Sequence, residues 1–170
     1  MGQISESVIR IASSYVGKVE ETDNDAGWLR DLINFSDNPT GWNPGESYCI
    51  AALLSIFKNC CKEKPFPPRM SKGTQQFWMN AVAVNYTSRT PTRGDIVIFR
   101  EGLTGSGHAG LVIEVREDGI DTIEFNTSDN IAGDQRNGGG CFKKTRKFAD
   151  FSQITHPKFW IRGYVLTSTL

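Results

Sequence analysis

The spacing of apolar residues changes once along this chain, near Pro91, and that change limits the folds open to it. Before Pro91 apolar side chains recur at helical spacing; after it they alternate every second residue. Residues 4–17 place Val8, Ile11, Ala12 and Tyr15 on one helical face, with Gly17 as a stop. A second helix restarts near Asp25, with Trp28, Leu29, Leu32 and Ile33 on one face. A third carries Ile50, Leu53, Leu54, Phe57 and Cys61 as one buried stripe, and "KPFPPRM" must break it. A short fourth helix is expected over residues 71–81, capped by Ser71. Beyond Pro91, "DIVIF" (95–99), "HAGLVIEV" (108–115), "IDTIEFNT" (120–127), "CFKKTRKF" and "FWIRGYVL" (159–166) read as strands, the second and third joined at Asp118-Gly119. Helices first and strands afterwards predict an α+β fold. The helical part covers residues 1–82 and an antiparallel sheet of about five to six strands covers 91–168, with no linker or repeat between them.

At 170 residues the chain suits a single domain with one core. Nineteen basic residues balance nineteen acidic ones, so no overall field favours nucleic acid or an anionic membrane, and a monomer is expected. "MGQISESVIRIASSYVGK" has neither the basic start nor the apolar core of a secretory signal, and Glu6 stands where a myristoylation motif needs Ser or Thr. No run approaches the ~20 apolar residues that span a bilayer. Synthesis in the cytoplasm without a signal peptide is the expectation. Adjacent Cys60 and Cys61 pair only with strain, so they and Cys141 read as free thiols in a reducing compartment.

Two residues stand out as candidates for chemistry. Cys49 falls where the turn-rich "SDNPTGWNPGES" gives way to the third helix, and unpaired N–H groups at a helix start favour a thiolate. His108 follows "LTGSG" and opens an apolar strand beside glycines, where a substrate backbone can approach. The other histidine, His156, lies in a loop before Pro157 and reads as a solvated surface residue. A base beside a thiol needs a third group to fix its tautomer, and Glu124 and Asn126 share one face of a strand that folds back toward His108. A two-residue Asp118-Gly119 turn would pair Glu117 with Ile120 and His108 with Asp129, so a longer loop or a bulge is needed to bring either group within reach. Both remain candidates for orienting the imidazole.

With these residues in view, "YCIAALL", "TRGDIVIF", "GSGHAGLVIEV" and "TIEFNTS", in that order, resemble the CHAP domain, the cysteine- and histidine-dependent amidohydrolase/peptidase of the papain-like NlpC/P60 group. "GGGCFKKTRKF…IRGYV" and "ASSYVGKVEETDNDAGWLRDLI" are similar to the closing strands and helical lead-in of phage-type members, so the resemblance spans nearly the whole chain. It implies a papain-like fold, with Cys49 as nucleophile, His108 as base, Glu124 as acidic third member and Asn126 as a polar residue that helps orient the base or build the oxyanion site. Many relatives carry Trp or Gln directly before the cysteine; here it is Tyr48, so the oxyanion site is expected to rest on backbone N–H groups. Asp23 and Asp25 loosely resemble a calcium loop found in some relatives, but they are too few for a six- to eight-oxygen site and read as helix caps.

The resemblance further implies a peptidoglycan hydrolase that cuts an amide bond in the stem peptide or cross-bridge and acts on the bacterial cell wall as a phage endolysin or a secreted antibacterial effector; no residue is assigned to a cofactor or a metal, and a calcium requirement stays open. Two other readings share these residues. One is a catalytically silent wall-binding or phage structural domain; the other is a cysteine peptidase acting on proteins.

Overall fold

The computed structural model describes residues 3–61, 66–128 and 139–170. Four helices come first: α1 (Gln3–Ser13), α2 (Gly27–Asn34), α3 (Cys49–Cys60) and α4 (Thr74–Ala83). Six strands follow: β1 (Thr87–Ser88), β2 (Ile96–Glu101), β3 (Gly107–Val115), β4 (Gly119–Thr127), β5 (Gly140–Lys147) and β6 (Phe159–Val165). They form one antiparallel sheet in the order β1-β6-β2-β3-β4-β5, and the helices pack on it in a papain-like α+β arrangement. The sequence expectation for "DNIAGDQRNGGG" falls largely outside the described residues, as does that for Lys62 and Lys64 at the end of the third helix.

Period two along the strands sorts side chains to two faces. Ile96, Ile98, Ala109, Leu111, Ile123, Phe125 and Cys141 face the helices and share their core. Val97, Phe99, Val112, Ile120 and Tyr164 face the other way, under Phe148, Phe151 and Phe159. Helix α3 lies at the centre, against α1, α2, β3 and β4. Its apolar residues were expected as one stripe; instead every residue from Cys49 to Phe57 is buried. Small Ala51, Ala52 and Ser55 fill the spaces between the larger side chains and let neighbours close in on all sides.

Three local expectations differ from the structure. Helix α4 begins at Thr74 with Gly73 at its cap, and Ser71 Oγ accepts from Gly73 N–H (3.2 Å), so Ser71 braces the turn before the helix. Helix α2 begins at Gly27 without a side-chain cap; Asp25 forms an ion pair with Arg30 instead. The β3–β4 connection is longer than two residues: Val115 pairs with Ile120, and Arg116 N–H donates to Gly119 O (2.9 Å). A bulge at Ile113 shifts β3 by one further residue, so that Leu111 faces Ile123. Together the loop and the bulge bring the second half of β4 alongside His108.

Candidate active site

Cys49 is the first residue of α3, and the neighbouring Ile50 N–H helps to lower its thiol pKa. The N–H groups of a helix's first turn have no partner within the helix, so they and the helix dipole favour negative charge at this sulfur. Cys49 is buried, but Ser47, whose Oγ lies 4.0 Å from Sγ, is exposed and marks the way to solvent.

His108 is the second residue of β3 and fully buried. Its Nε2 lies 2.9 Å from Glu124 Oε2. Glu124 is also fully buried and accepts from Thr122 Oγ1 (2.7 Å), from Arg146 Nε (2.8 Å) and from Arg146 Nη2. Burial alone would raise the Glu124 pKa; the charge and hydrogen bonds of Arg146, together with His108, outweigh it and hold the carboxyl well below the usual range. Glu124 is therefore ionised, Nε2 carries the proton, and Nδ1 is the ring nitrogen left for the thiol.

Nδ1 makes no well-aligned hydrogen bond, yet Cys49 and His108 interact closely enough to move each other's protons. Burial raises the thiol pKa, but His108, Ser47 and the Ile50 N–H together bring it below the ordinary value. Burial lowers the imidazole pKa, but Cys49 and Glu124 raise it to about 9. The two groups titrate as a pair, and each shift runs in the direction that favours thiolate and imidazolium. A loose contact in the absence of substrate is usual for catalytic hydrogen bonds.

The close approach of Glu124 depends on Gly110. A Cβ there would lie 2.8 Å from Glu124 Cγ and 3.3 Å from Thr122 Cβ. Continuing the β3–β4 register beyond Leu111 sets Gly110 opposite Glu124 and Asn126 opposite His108. The bond to His108 is nevertheless made diagonally, by Glu124. Asn126 has left the alternation because it is the extra residue of a bulge between Phe125 and Thr127, with φ +54°. Its Nδ2 donates to Ser47 Oγ (2.7 Å), which ties β4 to the segment entering α3.

The structure thus brings Cys49, His108 and Glu124 together and sets Asn126 beside Ser47. Tyr48 is fully buried, and its hydroxyl donates to Glu20 Oε1 (2.9 Å), so its side chain serves the scaffold. His156 is exposed, with Nδ1 3.1 Å from Thr155 Oγ1. Sequence reasoning missed Arg146. Its signal was the alternation of "CFKKTRKF", which puts Phe142, Lys144 and Arg146 on one face of β5, but two basic residues there are the ordinary composition of a solvated strand face. Arg146 is instead buried, with Phe99 and Phe151 rings 5.4 and 5.0 Å from its guanidinium carbon. Two open grooves of about 320 and 360 Å³ lie by β6, lined by residues such as Tyr164 and Phe159, and neither includes Cys49 or His108. Among the described residues no group of His, Cys, Asp or Glu is arranged to hold a metal ion, and no helix is long and apolar enough to cross a membrane.

A thiol at the head of a buried helix, facing a histidine and a carboxylate on an antiparallel sheet, is the layout of the papain-like class. Residues 38–128, more than half of the chain, match the CHAP domain, and the chain belongs to that family. Membership supports a peptidoglycan-hydrolase role in general. No curated protein gives a significant match to the chain.

Proposed function

We propose that the protein hydrolyses an amide bond in the stem peptide or cross-bridge of peptidoglycan, with Cys49 as nucleophile and residues 1–170 acting as one catalytic unit. One observation carries this reading: a helix-initial thiol is acidified by an imidazole that Glu124 holds at 2.9 Å. Before substrate arrives, His108 holds the Cys49 proton. The thiolate attacks the amide carbonyl, a C–S bond forms, and the carbonyl electron pair moves onto oxygen. N–H groups at the start of α3 stabilise that oxyanion. On collapse the C–N bond breaks, and His108 gives its proton to the departing amine. Water then attacks the thioester, with His108 taking a proton, and the acid product leaves while the thiol pair is restored. Glu124 fixes the tautomer and supports the imidazolium. Asn126, through Ser47, steadies the segment from which the nucleophile projects.

The acidified thiol favours catalysis over a silent wall-binding or phage structural domain, whose cysteine needs no activation. An NlpC/P60-type endolysin and a secreted antibacterial effector would both use this chemistry on the wall. The test is digestion of purified peptidoglycan, with the new termini identified by mass spectrometry. The parent protein is expected to release new amino and carboxyl termini, and their position separates an amidase from an endopeptidase. Cys49→Ala and His108→Ala should fold and release none. Equal release by Cys49→Ala would overturn the assignment, and cleavage of proteins but not of the wall would point to a general cysteine peptidase.

A further inference from the structure

Three arginines gather around the end of the sheet that carries His108. Arg100, near the end of β2, pairs across the sheet with Gly107, the residue before His108. Its Nη2 donates to Leu103 O (3.1 Å) and its Nε to Thr104 O (3.4 Å). Arg162 on β6 donates from Nη1 to Gln75 Oε1 (2.6 Å), and its guanidinium lies over the Trp78 ring at 5.5 Å. Arg89 donates to the Arg162 carbonyl (3.0 Å).

Among the described residues none of the three meets a carboxylate, whereas Arg30, Arg93, Arg116 and Arg146 all do. Glu101, next in sequence to Arg100, alternates to the other face of β2. Burial, and then the charges of Arg100 and Arg89, push the Arg162 pKa down, so these cations repel one another and a bound anion would relieve that repulsion.

Gln75 connects this patch to the candidate site. Its Nε2 donates to Phe99 O (2.8 Å), and Phe99 is the cross-strand partner of His108. A Cβ on Gly107 would lie 2.3 Å from that nitrogen, so glycine is what admits Gln75 here. Arg162 therefore stands one side chain away from the strand that carries the imidazole.

We propose that Arg162 and Arg100, with Gln75 between them and the His108 strand, form a subsite for a free carboxylate on the peptide substrate. The inference rests on the hydrolase reading for its substrate class. Arg100 sits across from Gly107, ~5 Å from β3, and Arg162 lies one strand further out, ~10 Å away, so an anion between them belongs about two to four residues from the scissile amide, where peptides carry carboxylates on side chains and chain ends. A guanidinium fork held in place by Gln75 and Trp78 suits a planar carboxylate.

The test uses two synthetic wall peptides, identical except that the carboxylate nearest the cleaved bond is free in one and amidated in the other. The parent protein should favour the free acid by about tenfold or more in kcat/KM, mostly through KM. Arg162→Gln and the half-buried Arg100→Gln should each bring that ratio toward one, and Arg162→Lys should keep part of it. A ratio near one in the parent, or a ratio unchanged in both glutamine variants, overturns the subsite. If the parent cleaves neither peptide, it is the hydrolase reading that fails. The subsite is then judged by titrating Cys49→Ala with both peptides: tighter binding of the acid, lost on adding Arg100→Gln, supports it, and equal or absent binding overturns it.

Discussion

Arg146 donates twice to a carboxylate that His108 also uses, so it influences the thiol without touching it. Thiolate, imidazolium, carboxylate and guanidinium together carry no net charge in a buried site. Removing the guanidinium leaves one uncompensated negative charge, and the site answers by holding a proton longer. Arg146→Met is therefore expected to move the ionisation of Cys49 up by about one pH unit and to lower kcat/KM at pH 7 about tenfold, with Arg146→Lys falling between. Iodoacetamide labelling of Cys49 against pH, followed by peptide mapping, reads the first effect directly; an unshifted profile in a folded Arg146→Met protein would remove Arg146 from the relay. In the parent, labelling should already be fast at pH values where an ordinary thiol is protonated, because the Cys49 pKa is lowered. Activity should rise as the pair loses its first proton and fall as the imidazolium is lost near pH 9. A Cys49 labelling profile that is unchanged in His108→Ala would assign the thiol's shift to another group.

At the scale of elements, a bulge decides what β4 presents to the site. Asn126 occupies the left-handed region, which costs most residues ~1–2 kcal/mol and costs glycine little. Asn126→Gly should keep the bulge and lose only the link to Ser47, whereas Asn126→Ala loses the link and gains strain. Urea unfolding should place the alanine variant about 1 kcal/mol below the glycine variant; equal stabilities would show that the backbone relaxes here. This bulge was not legible in the sequence, because "TIEFNT" alternates cleanly and a bulge is set by how neighbouring strands meet. The helices and the five longer strands were legible, since periodicity is a local signal, whereas the pairing of Cys49 with His108 was suggested only by the resemblance of four ordered motifs. Arg146 was not, since its partner lies on another strand and its own segment reads as wet. The two-residue β1 and the all-round burial of α3 likewise follow from contacts rather than from spacing.

Across the whole molecule, the ends of the chain complete a site whose first parts lie within residues 38–128. Arg146 comes from beyond that stretch, and Glu20, which holds Tyr48 beside Cys49, comes from before it. The segment after α1 reaches Tyr48 by running along the outer edge of β5. Gly17 N–H donates to Cys141 O (2.8 Å), Cys141 N–H to Lys18 O (2.9 Å) and Glu20 N–H to Gly139 O (2.7 Å). This seam covers the start of an edge strand that would otherwise be open to other strands, and it joins the N-terminal and C-terminal parts of the chain. Two adjacent glycines give a matched test of it. A Cβ at Gly140 would lie 2.4 Å from Lys18 O and 2.9 Å from Phe142 Cε2, while at Gly139 nothing stands within 4 Å. Gly140→Ala must push the seam apart and is expected to cost about 1–3 kcal/mol, as overpacking does. Gly139→Ala should stay within ~0.5 kcal/mol of the parent. Thermal unfolding measures the difference, and amide exchange locates it: in Gly140→Ala, protection should fall at Gly17, Glu20 and Cys141 before it falls in α3. Loss that begins in α3, or two variants of equal stability, would mean that the seam does not hold the two parts of the chain together.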